Sequence, residues 1–285
     1  MAPRATPLDL LGVDMIDAST GWAVGDIDPR GIGGAVFHTI DGGSHWAPIA
    51  GRSEVFTAVR FVTPSTGWIA GYAGHIARTD DGGRTWRDQR AERGREIFNS
   101  IWAVDERRAW AVGTSGLILR TSDGGTTWST VATDVRADLW AVRFISADRG
   151  WIAGAAGTVL ETRDGGATWT PRRSGVTKTM YGLATIAPSI VIAVGDGGVI
   201  LRSEDGASWQ PAQSSVNDVL YSVAAAPDGT CWAVGANGAV WGSRDSGRTW
   251  SQTAARAPHK LMAVALAGSR NGVAVGGRGL VEVLQ

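Results

Sequence analysis

The sequence has one cysteine, Cys231, four histidines and only two lysines, Lys178 and Lys260. A lone cysteine closes no internal disulfide, and histidines scattered at 38, 45, 75 and 259 make no Cys/His zinc set. A disulfide framework and a structural metal are therefore excluded. No apolar run approaches the roughly 18 residues of a membrane helix, so direct membrane insertion is not expected. The opening MAPRATPLDLL lacks the basic, apolar and small-residue order of a secretory signal. As written, the chain is expected in the cytoplasm, and outside it if a signal has been removed. The net charge is zero, from 27 Lys+Arg and 27 Asp+Glu, which removes the broad positive field of a nucleic-acid binder.

Glycine and tryptophan are abundant, at 40 and 14 of 285 residues, and both resolve into one unit copied along the chain. An Asp turn recurs as TIDGGSHW (39–46), TDDGGRTW (79–86), TSDGGTTW (121–128), TRDGGATW (162–169), SEDGASW (203–209) and SRDSGRTW (243–250). Its aspartates, Asp41, Asp81, Asp123, Asp164, Asp205 and Asp245, are spaced 40, 42, 41, 41 and 40 residues apart. A second marker runs in phase with them: GWAVG (21–25), GWIAG (67–71), AWAVG (109–113), GWIAG (150–154), VIAVG (191–195), CWAVG (231–235) and GVAVG (272–276). Seven copies of one marker and six of the other define seven units, the last lacking its Asp turn and final strand.

Apolar runs of four to six residues, rich in Val, Ile and aromatics and separated by Gly, Asp, Asn or Pro, predict four short strands per unit. In the fourth unit these are 139–145, 150–155, 158–163 and 167–172. Each first strand opens with a large apolar residue (Leu10, Phe56, Phe98, Leu139, Met180, Leu220, Leu261), followed two positions on by a small one (Gly12, Ala58, Ser100, Ala141, Gly182, Ser222, Ala263). That spacing is expected to put both on one face, where sheets approach closely.

A four-stranded period near 41 fits the blade of a β-propeller, and closure into a ring hides the raw ends that a linear stack would leave. The expected fold is all-β: one domain over 1–285, a seven-bladed propeller of four-stranded antiparallel blades. The blades run about 8–50, 51–92, 93–134, 135–174, 175–214, 215–255 and 256–285, with residues 1–7 supplying the strand missing from the last. Monomeric behaviour is expected.

The residues of the Asp turn serve the turn itself. The carboxylate accepts following N–H groups, the glycines permit positive φ, the Ser/Thr hydroxyl ties down the approach, and the Trp packs back on the blade. One carboxylate per turn is too few oxygens for calcium. The fifth copy is one residue short, which predicts a distorted turn. Trp22, Trp68, Trp110, Trp151 and Trp232 read as inter-blade core, and Cys231 as a small buried residue.

The Asp turn is similar to the Asp-box, or bacterial neuraminidase repeat. The whole unit, V-x-F-x-x-x-x-x-G-W-A-V-G-x-x-G-x-I-x-x-T-x-D-G-G-x-T-W, resembles the propeller repeat of the photosystem II assembly and stability factor family over residues 8–285. That resemblance implies a seven-bladed scaffold without known catalysis, which uses a basic Arg patch on one face. A sialidase, the enzyme that Asp-boxes suggest, resembles an Arg-Ile-Pro motif, three arginines and a Tyr nucleophile. No Arg-Ile-Pro occurs, and Tyr72, Tyr181 and Tyr221 sit in repeat positions. Nor is there a GK[ST] phosphate loop. No catalytic residue, metal ligand or cofactor is assigned.

Positions set by the fold should recur, so departures from the repeat point to a partner. In a propeller, the loops between blades share a face with the second-to-third strand turns. On that face the first unit carries an insertion, 25–35, with Arg30, and 87–96 carries Arg93 and Arg95. Later loops add Arg136, Arg172, Arg173, Lys178 and Lys260. The six connecting loops hold 11 basic residues against 7 acidic. Arg60 and Arg143 fill a first-strand position held elsewhere by Asp14, Trp102, Ala184, Ala224 and Ala265. Such residues line the central channel, where they solvate it or pair with Asp14, or else contact an anion or acidic peptide at its mouth. The expectation is a noncatalytic scaffold or assembly factor that binds a protein, such as an acidic or membrane-protein segment, and no nucleic acid. Arg30, Arg60, Arg93, Arg95, Arg136, Arg143, Arg172, Arg173, Lys178 and Lys260 are the candidate contacts. The other reading is a propeller enzyme or small, carbohydrate-type ligand binder acting at the same face.

Overall fold

The computed structural model describes residues 8–27, 34–49, 52–89, 94–253, 257–268 and 271–284. The repeat folds into seven antiparallel sheets in sequence order, six of four strands and the last of three among the described residues. The first blade is built from Leu10–Met15, Gly21–Ile27, Gly34–Thr39 and Ala47–Pro48, and the last from Leu261–Ala267, Asn271–Gly276 and Val281–Leu284. The strand expected from residues 1–7 lies outside the described residues. Fourth strands are short: in the fourth blade Thr170–Arg173 starts three residues later than the apolar pattern suggests, because Ala167 to Trp169 complete the Asp turn.

The ring closes by packing. Leu8, Leu10, Met15 and Ala23 of the first blade share one core cluster with Ala263, Ala267, Val273 and Val275 of the last. Between the other blades the second-strand tryptophans carry the contact, as expected, except between the fifth and sixth, where Ile192 takes that place: Trp22, Trp68, Trp110 and Trp151 are fully buried and Trp232 is 8% exposed. Each such ring removes on the order of 200 Å² from water, a stabilisation of about 5 kcal/mol. Trp22 stacks on Phe61 of the next blade at 3.5 Å, and Phe61 meets the Asp-turn Trp86 edge-on at 6.0 Å. Trp110, Phe144 and Trp169 repeat the arrangement at 3.9 and 5.8 Å.

One expectation is overturned. In all seven first strands the pairing skips a residue directly after the large apolar opener, so Leu10 pairs with Gly25 and Gly12 with Val24. This β-bulge resets the alternation. The large residue faces the preceding blade, as Leu220 does among Ile192, Val194 and Ile200. The small one faces the following blade: a Cβ on Gly12 would meet Thr57 and Ala58, and Ser222 Oγ accepts the Val264 N–H at 3.2 Å.

Two hydrogen bonds repeat around the ring and define its faces. The amide of the residue after each second-strand glycine (Asp26, Tyr72, Thr114, Ala155, Asp196, Ala236, Gly277) donates to the carbonyl just before the first strand, at 2.8–3.1 Å. Inter-blade loops and second-to-third strand turns therefore share one side, the loop face. Opposite them, Asp-turn amides bond the first-to-second strand hairpins, as Gly82 N to Ser65 O does at 2.8 Å and Gly124 N to Arg107 O at 2.9 Å.

Candidate functional site

The Asp turns behave as the sequence suggests. Thr121 Oγ1 donates to Asp123 Oδ1 at 2.8 Å and accepts the Gly125 N–H at 2.8 Å, while the Thr127 amide and hydroxyl reach the same carboxylate at 2.9 and 2.7 Å. These donors hold Asp123 down at about 2, led by the Thr127 N–H. Asp81 stands at about 2 on the Thr85 hydroxyl and amide, and Asp41 at about 2 on the His45 amide and ring. In Asp164, burial pushes upward and is outweighed by the Thr168 hydroxyl and amide, which leave it at about 2. The short fifth copy is rearranged rather than lost. Asp205 accepts from Ala207 and Ser208 at 2.8 and 2.7 Å, where the other copies use the fourth residue on.

The bulged residues line the loop-face end of the axial channel, around a cavity of about 100 Å³. They are Leu11, Thr57, Asn99, Trp140, Tyr181, Tyr221 and Met262, a column of the strand that changes from blade to blade. A bulge re-aims its side chain, here toward the axis. Trp140 meets Tyr181 edge-on at 5.2 Å and Tyr181 meets Tyr221 at 5.7 Å, forming a half-buried aromatic arc. Burial raises the Tyr181 pKa, and the Asp196 carboxylate adds to the rise. The sequence marked Tyr181 and Tyr221 only as repeat positions. Its usable signal was variation at the second position of the first strand.

The candidate cations fall into separate environments. Arg30 and Arg93 lie outside the described residues. Arg95, Arg136 and Lys178 are exposed in inter-blade loops and Arg173 is exposed at the end of the fourth blade's last strand, and none pairs with a described carboxylate. Arg173 and Lys178 border a groove of about 700 Å³ with Gly157, Val176 and Val199, between the fourth and fifth blades. Lys260, on the same face, pairs with Asp9 at 2.9 Å.

Arg172 turns inward. Its Nε donates to Glu161 at 2.7 Å, and Arg149 and Arg163 approach that fully buried carboxylate at 2.9 and 3.0 Å. Burial alone would raise the Glu161 pKa, but Arg172, Arg149 and Arg163 together lower it.

Arg60 and Arg143 lie deeper, where the first strands run into the Asp-turn face, around a cavity of about 190 Å³. Arg60 pairs with Asp14 at 3.1 Å, the pairing anticipated from the sequence. Both guanidinium groups sit over Trp102, at 3.9 and 4.6 Å from the ring centroid. Burial, then the charge of Arg60, pushes the Arg143 pKa down to about 10 against the pull of Asp14, so Arg143 stays charged at neutral pH.

The molecule is thus a seven-bladed Asp-box propeller with an arc of aromatic side chains at the loop-face end of its channel. Residues 49–139 and 126–213 match the family described as Photosynthesis system II assembly factor YCF48. The chain belongs to that family. A solved structure of YCF48 bound to D1 peptide is 21% identical, with a TM-score of 0.77 over 97% of this chain and 93% of that one. YCF48 from Cyanidioschyzon merolae is also 21% identical, with a TM-score of 0.77 over 100% and 97%. A GH74 xyloglucanase from Xanthomonas campestris is 14% identical at a TM-score of 0.73, covering 98% of this chain and 52% of that one. No curated protein matches in sequence.

Proposed function

We propose that this chain is a protein-binding scaffold of the assembly-factor type, which takes an extended, acidic segment of its partner on the loop face. The reading rests on one juxtaposition. The connection between the fourth and fifth blades starts at Arg173, the end of a strand, and carries Lys178, both exposed and free of described carboxylates; Lys178 stands three residues before Tyr181 in the aromatic arc. Aromatic anchors beside Arg and Lys supply both desolvated contact area and charge complementarity, the combination that dominates protein interfaces. Arg136, four residues before Trp140, extends the positive rim. Arg143 lines both the loop-face cavity and the deeper one, whereas Arg60 lines only the deeper one.

Membership of the YCF48 family and the relative solved with a D1 peptide make that peptide the first partner to test. Calorimetric titration with D1 peptide should give saturable binding. Tyr181→Ala, and Arg173→Glu combined with Lys178→Glu, should each weaken it at least about tenfold with an unchanged melting temperature. Arg107→Glu, exposed on the Asp-turn face, should bind normally. Absence of binding by the unaltered chain, or equal binding by all variants, rejects the reading.

A further inference from the structure

The cavity at the loop-face end of the channel holds one charge and nothing to balance it. Among the residues around it, Arg143, Tyr181 and Tyr221 are the ionisable ones and no Asp or Glu is present, so the lining carries a net charge of plus one at neutral pH. Val13, Arg143, Leu183 and Val264 line this cavity and the deeper one alike, so Arg143 stands where the two meet. Its Nη1 donates to the Val142 carbonyl at 2.9 Å, and it makes no ion pair with a described residue. Asp14, the one carboxylate around the deeper cavity, is already engaged by Arg60 at 3.1 Å and by the Phe61 N–H at 2.7 Å. A half-buried guanidinium without a counter-charge of its own is costly, and an entering carboxylate offsets that cost.

The polar side chains of the rim leave this role to Arg143. Asn99 Nδ2 donates to the Leu139 carbonyl at 2.9 Å, and Thr57 Oγ1 lies on the Ala70 and Phe98 carbonyls. A cavity of about 100 Å³ has the volume of roughly three waters, which admits a carboxylate and the carbon or two behind it. We infer that the channel mouth is a socket for one carboxylate of the partner, an Asp or Glu side chain or the C-terminus, which enters past Trp140, Tyr181 and Tyr221 and pairs with Arg143. A planar guanidinium matches a carboxylate with two parallel hydrogen bonds, and the single positive charge is neutralised by one such group. The inference rests on the loop face being the partner surface, and it adds the point at which the bound segment is anchored.

Small probes separate the socket from the surface around it. The whole chain is titrated calorimetrically with N-acetylaspartic acid α-amide, which carries the side-chain carboxylate, and with N-acetylglycine, which carries the terminal one. N-acetylasparagine amide and N-acetylglycinamide are their uncharged counterparts. One carboxylate per chain should bind, the tighter of the two probes naming its source, and the uncharged counterparts should give no saturable heat. Arg143→Gln, which removes the charge, and Met262→Glu, which sets a competing carboxylate at the rim, should each weaken binding at least about tenfold, and Arg143→Lys should weaken it less. Arg173→Glu combined with Lys178→Glu should hold the small probes within about threefold of the parent, since both residues lie outside the lining. If Arg143→Gln does not fold, Met262→Glu decides the matter. No carboxylate binding up to about 10 mM, equal binding of the uncharged counterparts, or parent affinity in the folded variants would each overturn the socket. So would a D1 peptide held by Arg143→Gln as tightly as by the parent, with the partner surface left standing. A D1 peptide that the parent does not bind rejects the partner surface instead, and the small carboxylates still decide the socket.

Discussion

Lys260 Nζ lies 2.9 Å from Asp9 Oδ2 across the seam where the last blade meets the first, and the other Asp9 oxygen accepts the Arg278 N–H at 2.9 Å. Lys260, then the Arg278 amide, lowers the Asp9 pKa. The contact is partly exposed, so its charge counts for little and the backbone bond supplies much of its effect. Asp9→Ala should cost about 1 kcal/mol in chemical denaturation, and Lys260→Ala less. An Asp9→Ala chain as stable as the parent would mean that apolar packing alone closes the ring.

Glu161 offers a larger effect. Removing its buried carboxylate leaves Arg149, Arg163 and Arg172 facing one another without a counter-charge. Glu161→Ala should destabilise by about 3 kcal/mol, whereas Arg163→Ala, whose own side chain is mostly exposed, should cost less than about 1. Equal losses in the two denaturation curves would show that the cluster does not act as a unit.

The Asp turns set a pH dependence. Asp41, Asp81, Asp123 and Asp164 stand at about 2 in the fold against an ordinary 3.8, so the folded state holds their protons less tightly than the unfolded chain does. Their contribution is complete above about pH 4 and disappears as the pH falls toward 2. The melting temperature should therefore drop steeply across that window, and Asp123→Asn should make the drop shallower while lowering the plateau at neutral pH. A variant whose acid limb parallels the parent's would assign the acid sensitivity to other groups.

The glycine that closes each second strand is held by crowding rather than by φ. At Gly195 the backbone is extended, with φ −171°, and a Cβ would press on the Thr179 carbonyl and Met180 Cα. Gly195→Ala should cost about 2 kcal/mol, measured by urea denaturation. A neutral outcome would mean that the inter-blade loop can yield.

What the sequence made legible follows from what is local. The period, the seven second strands and the Asp turns depend on residues within a few positions of one another, so the fold and the structural role of Asp41 through Asp245 could be read directly. The β-bulge carries no residue signature, and plain alternation would put Leu10 and Gly12 on one face. Its effect on the site is larger still, because the bulge aims Trp140, Tyr181 and Tyr221 into the channel. The arginines divide for a similar reason. Arg172 and Arg173 are neighbours in sequence, yet strand alternation turns one onto Glu161 and leaves the other in solvent. Arg60 meets Asp14 only because two blades are packed side by side.

The central claim is that the loop face is where a partner sits. Hydrogen exchange of the chain with and without a saturating peptide partner tests it most directly. The account predicts protection of the amides of 172–181 and 136–140, with the Asp turns at 121–128 and 162–169 unchanged. Protection confined to the Asp-turn face, with 172–181 exchanging as in the free chain, would contradict it.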